Sequence, residues 1–541
     1  MKPILILICG LLVTSADAQT RSRNALFLEV LDSIRSDLKI PAMTVAVMQD
    51  TTVLLAAGLG FADTQLHISA TPTTTFRVAS ITKTFAATII LQLAEEGKLN
   101  LDAPVSDYGI DLGNPHITVR HILTHTSEGE PGSGFQYNGY RFSFLDKIIR
   151  QAAGAPFYQL LMERIILPLG MTSTAPGISL YKYFGYIRQQ NAAAPFFENA
   201  STHLAKPYES DAYGHIRETD YLDEFSTSGG LVSDVTDLLK YAAALDKQQL
   251  LSVHSLTQMF TPNRTKNGST TPYGLGWFIQ EYKGLKCYWH YGQTQAESGL
   301  FVKIPGRKLT LAVLTNSINL SQPFPLGEGD LLLSPVAQLF WEYFIDNDTT
   351  AATYYPDRTV TDIEKEISPR TSPEDLALIN RKIITAATIL QFKGDSTKTA
   401  ACYQLYADLN FKAVPLPTTP VITAIIHAGV NQEISRRFTL NKTTRIKIIG
   451  TGENCSGDFS SWCDYGWIED DRGKVVWEMQ RQPAVHAGGA IKNQRVQAVI
   501  SLLPGTYTLK YKSDRAHAYN SWDALPPDNY NWGITLYNME R

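Results

Sequence analysis

Phe76-Arg77-Val78-Ala79-Ser80-Ile81-Thr82-Lys83-Thr84-Phe85, continuing through Glu96, is the stretch on which the reading of this 541-residue chain turns. Ile81, Phe85, Ile89, Leu93 and Ala94 recur at helical spacing and Gly97 supplies a C-cap, so the pattern predicts a helix opening at Ser80. A spacing of three puts Lys83 on the same face one turn later, its amine within reach of the Ser80 hydroxyl. That is the arrangement of a serine nucleophile served by a lysine base, and the positive end of the helix dipole favours an oxyanion beside it. Ser-x-x-Lys is a short pattern that recurs at Ser36-Asp37-Leu38-Lys39 and Ser179-Leu180-Tyr181-Lys182, so context decides. Ser36 belongs to an amphipathic helix and Ser179 to a Pro/Gly-bounded loop, whereas only Ser80 combines a preceding extended run, Thr73 to Val78, with a following buried helix.

Length predicts three or four domains at roughly 150 residues each. A net charge of -4 offers no basic field for nucleic acid, and beyond the first residues no apolar run is long enough for a membrane helix. Residues 1–18 read as an export signal: Lys2, the apolar run Ile4 to Val13, and Ala16-Asp17-Ala18 before Gln19. A periplasmic or extracellular location is expected. Cys9 follows the bulky Ile8 very early in the chain, which argues against lipid attachment. Cys287, Cys402, Cys455 and Cys463 remain; Cys455 and Cys463 flank a Ser/Gly/Asp loop that suits either a disulfide or two reduced thiols. No spacing suits zinc, since His121 and His125 lack the Glu of H-E-x-x-H, and neither metal nor cofactor is expected.

Ahead of Ser80 the pattern predicts a helix from Asn24 to Lys39 and a hairpin, Thr44 to Met48 with Thr52 to Ala57, ended by Gly58-Leu59-Gly60. After it come a short helix around Thr118 to Ser127, a Gly-rich aromatic loop, Pro131 to Gly139, and helices at Phe142 to Ala152, Tyr158 to Ile166 and Asp234 to Leu245. The period then changes to two through Leu275–Tyr282, Lys286–Tyr291, Ser298–Ile304 and Lys308–Asn316, before a helix from Pro335 to Phe344. The expected fold is α/β of the α+β kind, an antiparallel sheet drawing strands from both ends of the segment with helices between.

Ser80-Ile81-Thr82-Lys83, Leu123-Thr124-His125-Thr126-Ser127, Pro131-Gly132 before Phe135-Gln136-Tyr137, Gly229-Gly230-Leu231-Val232-Ser233, Tyr273-Gly274-Leu275-Gly276-Trp277 and His290-Tyr291-Gly292 follow in that order. Over roughly residues 25 to 345 the sequence thereby resembles the serine β-lactamase-like hydrolases: class C β-lactamases, low-molecular-weight penicillin-binding proteins and related esterases. The resemblance implies Ser80 as nucleophile, Lys83 as base or proton relay, and Tyr137 exchanging protons with Ser80 and the leaving group. It also implies an oxyanion hole from the backbone N–H groups of Ser80 and Gln293, with Asn138, His290, Tyr291 and Gly292 lining the substrate. Tyr137 also has a plainer reading as one more aromatic of a loop carrying Phe135, Tyr140 and Phe142, and His290 as an edge histidine; His125 is expected to hold a loop.

Two departures bear on the substrate. Tyr137-Asn138-Gly139 stands where the family has Tyr-x-Asn, and His290-Tyr291-Gly292 where β-lactamases and D,D-peptidases often have Lys-Thr-Gly. The first removes or displaces an amide that contacts a substrate acylamino group; the second replaces a permanent cation with an imidazole mostly neutral at pH 7. Both weaken recognition of a penicillin-like or peptide-terminal carboxylate. The substrate expected is a small ester or amide, the alternative being a β-lactam or D,D-peptide, and a catalytically silent binding protein on the same scaffold is the rival from another class.

Beyond about Asp346 the composition shifts. The domains read as residues 1–18 (signal), 19–348 (hydrolase), 349–420 (helical hairpin and Pro-rich linker with Pro415, Pro417 and Pro420) and 421–541 (β-sandwich). The tail resembles a β-module appended to secreted bacterial proteins, through Tyr465-Gly466-Trp467-Ile468-Glu469-Asp470 and Trp532-Gly533-Ile534-Thr535-Leu536-Tyr537. Trp462, Trp467, Trp477, Trp522 and Trp532 suit either a core or a surface for carbohydrate or protein, and the acidic loop Asp523 to Asp528 lacks the spacing of a calcium shell.

Overall fold

The structure, a computed structural model, describes residues 23–177, 183–210, 216–221, 224–347, 355–368, 371–411, 421–454, 462–487, 492–515, 518–521 and 532–539. The export signal, Ser179 and Lys182, Cys455, the Pro-rich linker, Trp522 and the acidic loop 523–528 lie outside the described residues. The chain divides into two units, Met1–Thr353 and Tyr354–Arg541.

In the first unit α1 (residues 23–37) precedes the expected hairpin of β1 (Ala42–Gln49) and β2 (Thr52–Asp63), with Asp50 at φ +56° in the turn. All of β1 except Gln49 is buried, the pattern of a strand covered on both faces rather than an alternating one. Gly58-Leu59-Gly60 does not end the pair. A Cβ on Gly58 would lie 2.2 Å from the Ala70 carbonyl oxygen, so the glycine lets the returning chain cross while β2 runs on to Asp63.

β3 (Ile68–Ser69) edges this hairpin, and β4 (Phe76–Arg77) pairs in a small sheet with β8 (Leu231–Ser233), which also takes β5 (Ala175–Pro176). β6 (Tyr208–Ser210) and β7 (Ile216–Glu218) form a separate hairpin. The main sheet is completed by β9 (Phe278–Tyr282), β10 (Leu285–Gln293), β11 (Ser298–Ile304) and β12 (Leu309–Thr315). Its order is β3-β2-β1-β12-β11-β10-β9, antiparallel throughout, so strands from both ends of the unit meet at β1 and β12. β9 starts three residues later than the periodicity suggests, because Gly274 and Gly276 keep 273–277 irregular: a Cβ on Gly274 would meet the Met259 carbonyl oxygen at 2.3 Å. Helix Val235–Asp246 packs on β1 and β12, while Phe27 of α1 meets Tyr343 and Phe344 edge-on at ring separations of 5.7 and 5.1 Å. Between β4 and β5 lie α2 (Thr82–Glu95), α3 (Val119–Leu123), α4 (Gly139–Phe142) and α5 (Leu145–Ala153). α2 is buried on nearly every side, which is why its sequence is apolar and threonine-rich all round.

In the second unit, helices Pro373–Lys393 and Ser396–Phe411 turn at Gly394 (φ +77°) and share the buried residues Ile383, Leu390, Tyr403 and Leu405. Two antiparallel layers follow: β18 (Ala484–His486), β19 (Asn493–Leu502), β15 (Thr444–Asn454), β21 (Gly533–Asn538) and β13 (Val421–Ile425), against β17 (Val475–Glu478), β16 (Trp462–Asp470), β20 (Gly505–Lys512) and β14 (Glu433–Leu440). β15 and β16 join the layers at Glu453↔Asp464. Trp462, Trp477 and Trp532 are core residues, while Trp467 is half-buried and donates from Nε1 to Glu469 at 2.8 Å. Cys463 is disulfide-bonded, and Cys287 and Cys402 are buried thiols.

Candidate active site

The site begins with a strained turn. β4 is held by β8, and Val78 N–H donates to Leu231 O at 2.8 Å. The chain then reverses through Ala79, a non-glycine residue at φ +50°, into a 3-10 turn, Ala79–Ile81, that leads into α2. Thr82 Oγ1 fixes this turn by donating to Ala79 O (2.6 Å) and accepting from Leu231 N–H (3.2 Å). Strain at such a residue persists only where its surroundings over-determine it. Ser80 is left half-buried at the start of the buried helix.

Lys83 is 1% exposed. Its Nζ donates to Ser80 Oγ (2.9 Å) and to Ser228 O (2.7 Å), and lies 5.5 and 5.4 Å from the ring centres of Tyr137 and Phe142. No carboxylate among the described residues pairs with it. Burial without a counter-charge draws its pKa from 10.5 to about 7, so near neutral pH much of this lysine is free amine. The Ser228 carbonyl is a partner that sequence reasoning did not assign. Its signal was the Ser226 to Gly230 run, where Gly230 adopts φ +98° and a Cβ would come 1.9 Å from Glu224 O. Asp146 of α5 holds the same run by accepting from Thr227 N–H and Oγ1 (2.9 Å each).

Tyr137 arrives on the Gly-rich loop, which His125 clamps: His125 O accepts Gln136 N–H (2.9 Å), and His125 Nδ1 accepts Asn138 N–H (3.1 Å). Burial holds this imidazole neutral, its pKa well below 6.5, with the proton on Nε2. The Tyr137 ring lies 4.4 Å from that of His125 and 5.6 Å from those of Phe278 and Tyr291. Burial pushes the phenol well above 10, with Tyr291 adding to the effect and the nearby Ser80 hydroxyl opposing it. The Tyr137 hydroxyl is buried and forms no hydrogen bond in this resting arrangement, although Ser80 is near enough to bias its ionisation. Ser80, Lys83 and Tyr137 are therefore brought together.

The four candidate lining residues fare differently. Asn138 is spent locally, its Oδ1 capping α4 at Arg141 N–H (3.0 Å) and its Nδ2 donating to Glu128 (2.5 Å). The adjoining Gly139 faces Lys83, where a Cβ would lie 3.6 Å from Nζ and meet nothing else. His290 does not line the cleft; it is fully enclosed, accepting from Tyr273 O–H at Nε2 (2.8 Å) and donating from Nδ1 to Tyr291 O (2.6 Å). Burial first, then Lys83, draws its pKa to about 3, so it carries no charge for a substrate carboxylate. Tyr291 is 9% exposed, and its hydroxyl abuts Gly327, where a Cβ would come 3.1 Å away. Gly292 packs backbone on backbone: a Cβ there would sit 2.4 Å from Val78 O. That approach carries Gln293, the next residue and exposed, beside the Ser80 turn.

The family model for Beta-lactamase matches residues 28–327. PbpX of Bacillus subtilis (strain 168), named as a penicillin-binding protein, is 29% identical over 269 residues, 44% of this chain and 61% of that protein. Protein flp of Staphylococcus aureus (strain MW2) is 22% identical over 317 residues, 51% of this chain and 60% of its own length. The chain thus spans less than two thirds of either relative. Among solved structures, the octameric penicillin-binding protein homologue from Pyrococcus abyssi aligns with a TM-score of 0.51 at 23% identity, covering 62% of this chain and 80% of that one. With the match to residues 28–327 added to the geometry of the site, the chain belongs to the beta-lactamase family, whose members are serine hydrolases.

Proposed function

We propose that this protein hydrolyses a small ester or amide through an acyl-Ser80 intermediate. The observation that carries the reading is the 2.9 Å contact between Ser80 Oγ and a buried Lys83 amine whose pKa lies near 7. In its free-amine form Lys83 takes the Ser80 proton as Oγ attacks the substrate carbonyl. The oxyanion forms between the backbone N–H groups of Ser80 and Gln293, at the positive end of α2. Tyr137 keeps its proton across neutral pH, which suits it as donor to the leaving group; the Lys83 ammonium then returns a proton to the phenol. Water then attacks the acyl carbon for deacylation, losing its proton to Lys83; the Lys83 ammonium passes that proton to Ser80 Oγ as the acyl–Oγ bond breaks, and the acid product leaves. A binding protein has no use for a serine held against a partly deprotonated lysine, so the silent alternative lacks support.

The substrate reading rests on charge. His290 is neutral and enclosed where a permanent cation would hold a carboxylate, and Asn138 is engaged with Glu128. Both favour an acyl group without a carboxylate over a β-lactam or a peptide C-terminus. Export is proposed on residues 1–18 alone; no described helix is long and apolar enough to cross a membrane. A fluorophosphonate probe is expected to label the wild type and not Ser80→Ala, as read by intact mass. An unlabelled, well-folded wild type would leave the binding protein standing. In a panel of short-chain nitrophenyl esters, nitrocefin and D-Ala-D-Ala peptides, the esters should lead by about tenfold or more in kcat/KM. Gly139→Asn, which restores an amide beside Lys83, should narrow that margin; a wild type that prefers nitrocefin or the peptides would overturn the ester reading.

A further inference from the structure

The two backbone donors assigned to the oxyanion hole sit on different segments, Ser80 in the turn after β4 and Gln293 at the end of β10, and a buried ion pair joins the two segments. Arg77 ends β4, three residues before Ser80; Glu297 closes the β10–β11 turn, four residues after Gln293. Their side chains are 5% and 4% exposed, and Arg77 Nη1 lies 3.8 Å from Glu297 Oε2. Arg77 Nη2 also donates to Glu224 O (3.4 Å), tying β4 to the segment that leads to Ser228. Glu297 in turn holds Thr294, the residue after Gln293. Thr294 Oγ1 donates to the Glu297 carboxylate and accepts from Ala296 and Glu297 N–H (3.2 and 2.9 Å), and Thr294 N–H donates to Glu297 O (2.9 Å). Buried pairs commonly cost as much in desolvation as they return, so strength alone is a poor account of this one. Its placement is the better account.

We propose that Arg77 and Glu297 are positioning residues that set the spacing between the Ser80 and Gln293 N–H groups, acting on the transition state and not on substrate binding. The proposal rests on the acyl-Ser80 reading above. Substrate in its ground state makes weak use of the two donors, whereas a developing oxyanion needs both at hydrogen-bond length. Loss of the pair should therefore lower kcat and leave KM nearly unchanged.

The test compares wild type, Arg77→Lys, Glu297→Gln and the double variant Arg77→Met/Glu297→Leu, which removes both charges so that neither is stranded in the interior. Thermal melts establish that each is folded. The double variant is expected to react with the fluorophosphonate about a hundredfold more slowly than wild type, with KM for a neutral nitrophenyl ester within about threefold. Arg77→Lys, keeping the charge, should recover to within about tenfold of wild type. A folded double variant that reacts at the wild-type rate, or one whose KM rises while kcat holds, overturns the latch. A wild type unlabelled at Ser80 removes the acyl-enzyme reading and the latch with it, so the two failures are told apart by the first sample.

Discussion

Lys83→Met is expected to slow Ser80 acylation by at least about a thousandfold and, at the same time, to make the protein more stable. The two effects have one source. Holding an ammonium in a site that draws its pKa from 10.5 to about 7 costs roughly 5 kcal/mol below pH 7. Methionine of similar length removes that cost but leaves the Ser228 carbonyl without its donor, an offset of about 1 to 3 kcal/mol. A net gain of roughly 2 to 4 kcal/mol at pH 6 should appear in denaturant melts. Between about pH 7 and pH 10 the unfolded wild type binds more protons at this lysine than the folded one, so wild-type stability rises with pH across that window. The advantage of the variant should therefore be largest at or below pH 7 and fade towards pH 10. A variant less stable than wild type at pH 6 would show that the lysine is not held under strain.

The second large effect is expected from one methyl group. In Gly292→Ala the new Cβ would meet Val78 O at 2.4 Å and the Ala79 Cβ at 3.2 Å. Neither neighbour is a flexible side-chain end, so β10 and the Ser80 turn must move apart. The overpacking is expected to cost about 1 to 3 kcal/mol, seen as a lower midpoint of unfolding. The same displacement carries Gln293 away from Ser80, and acylation should slow by about a hundredfold even in the folded fraction. Wild-type labelling kinetics in a folded Gly292→Ala would mean that Gln293 takes no part in the oxyanion hole.

A contact was legible in the sequence where it left a mark on side-chain periodicity. The Ser80–Lys83 pair was legible because both residues lie one turn apart on a helix whose apolar repeat is unmistakable. Tyr137 was legible only through the resemblance of Pro131-Gly132 and Phe135-Gln136-Tyr137 to the family's motifs, since the loop by itself offers Phe135, Tyr140 and Phe142 as equal aromatics. Burial was less so: His290 sits in an alternating strand and read as lining, yet the sheet face it occupies is closed over by Tyr273 and Phe278. The same limit applied to β14, an edge strand with Arg436 and Arg437 exposed, which carries too little apolar alternation to be seen. Partners made by backbone atoms, such as Ser228 O for Lys83, or by residues 220 positions apart, such as Arg77 and Glu297, leave no local pattern at all.

Acylation near neutral pH is proposed to depend on Lys83 presenting a free amine to Ser80. The most direct measurement is the single-turnover rate of Ser80 labelling by a fluorophosphonate from pH 5 to pH 10. The expected profile rises through one ionisation near pH 7 and is level above it, with the buried Tyr137 phenol still protonated across the range. A rate that is flat across the range, or that climbs only towards pH 10 as for an ordinary lysine, would contradict it.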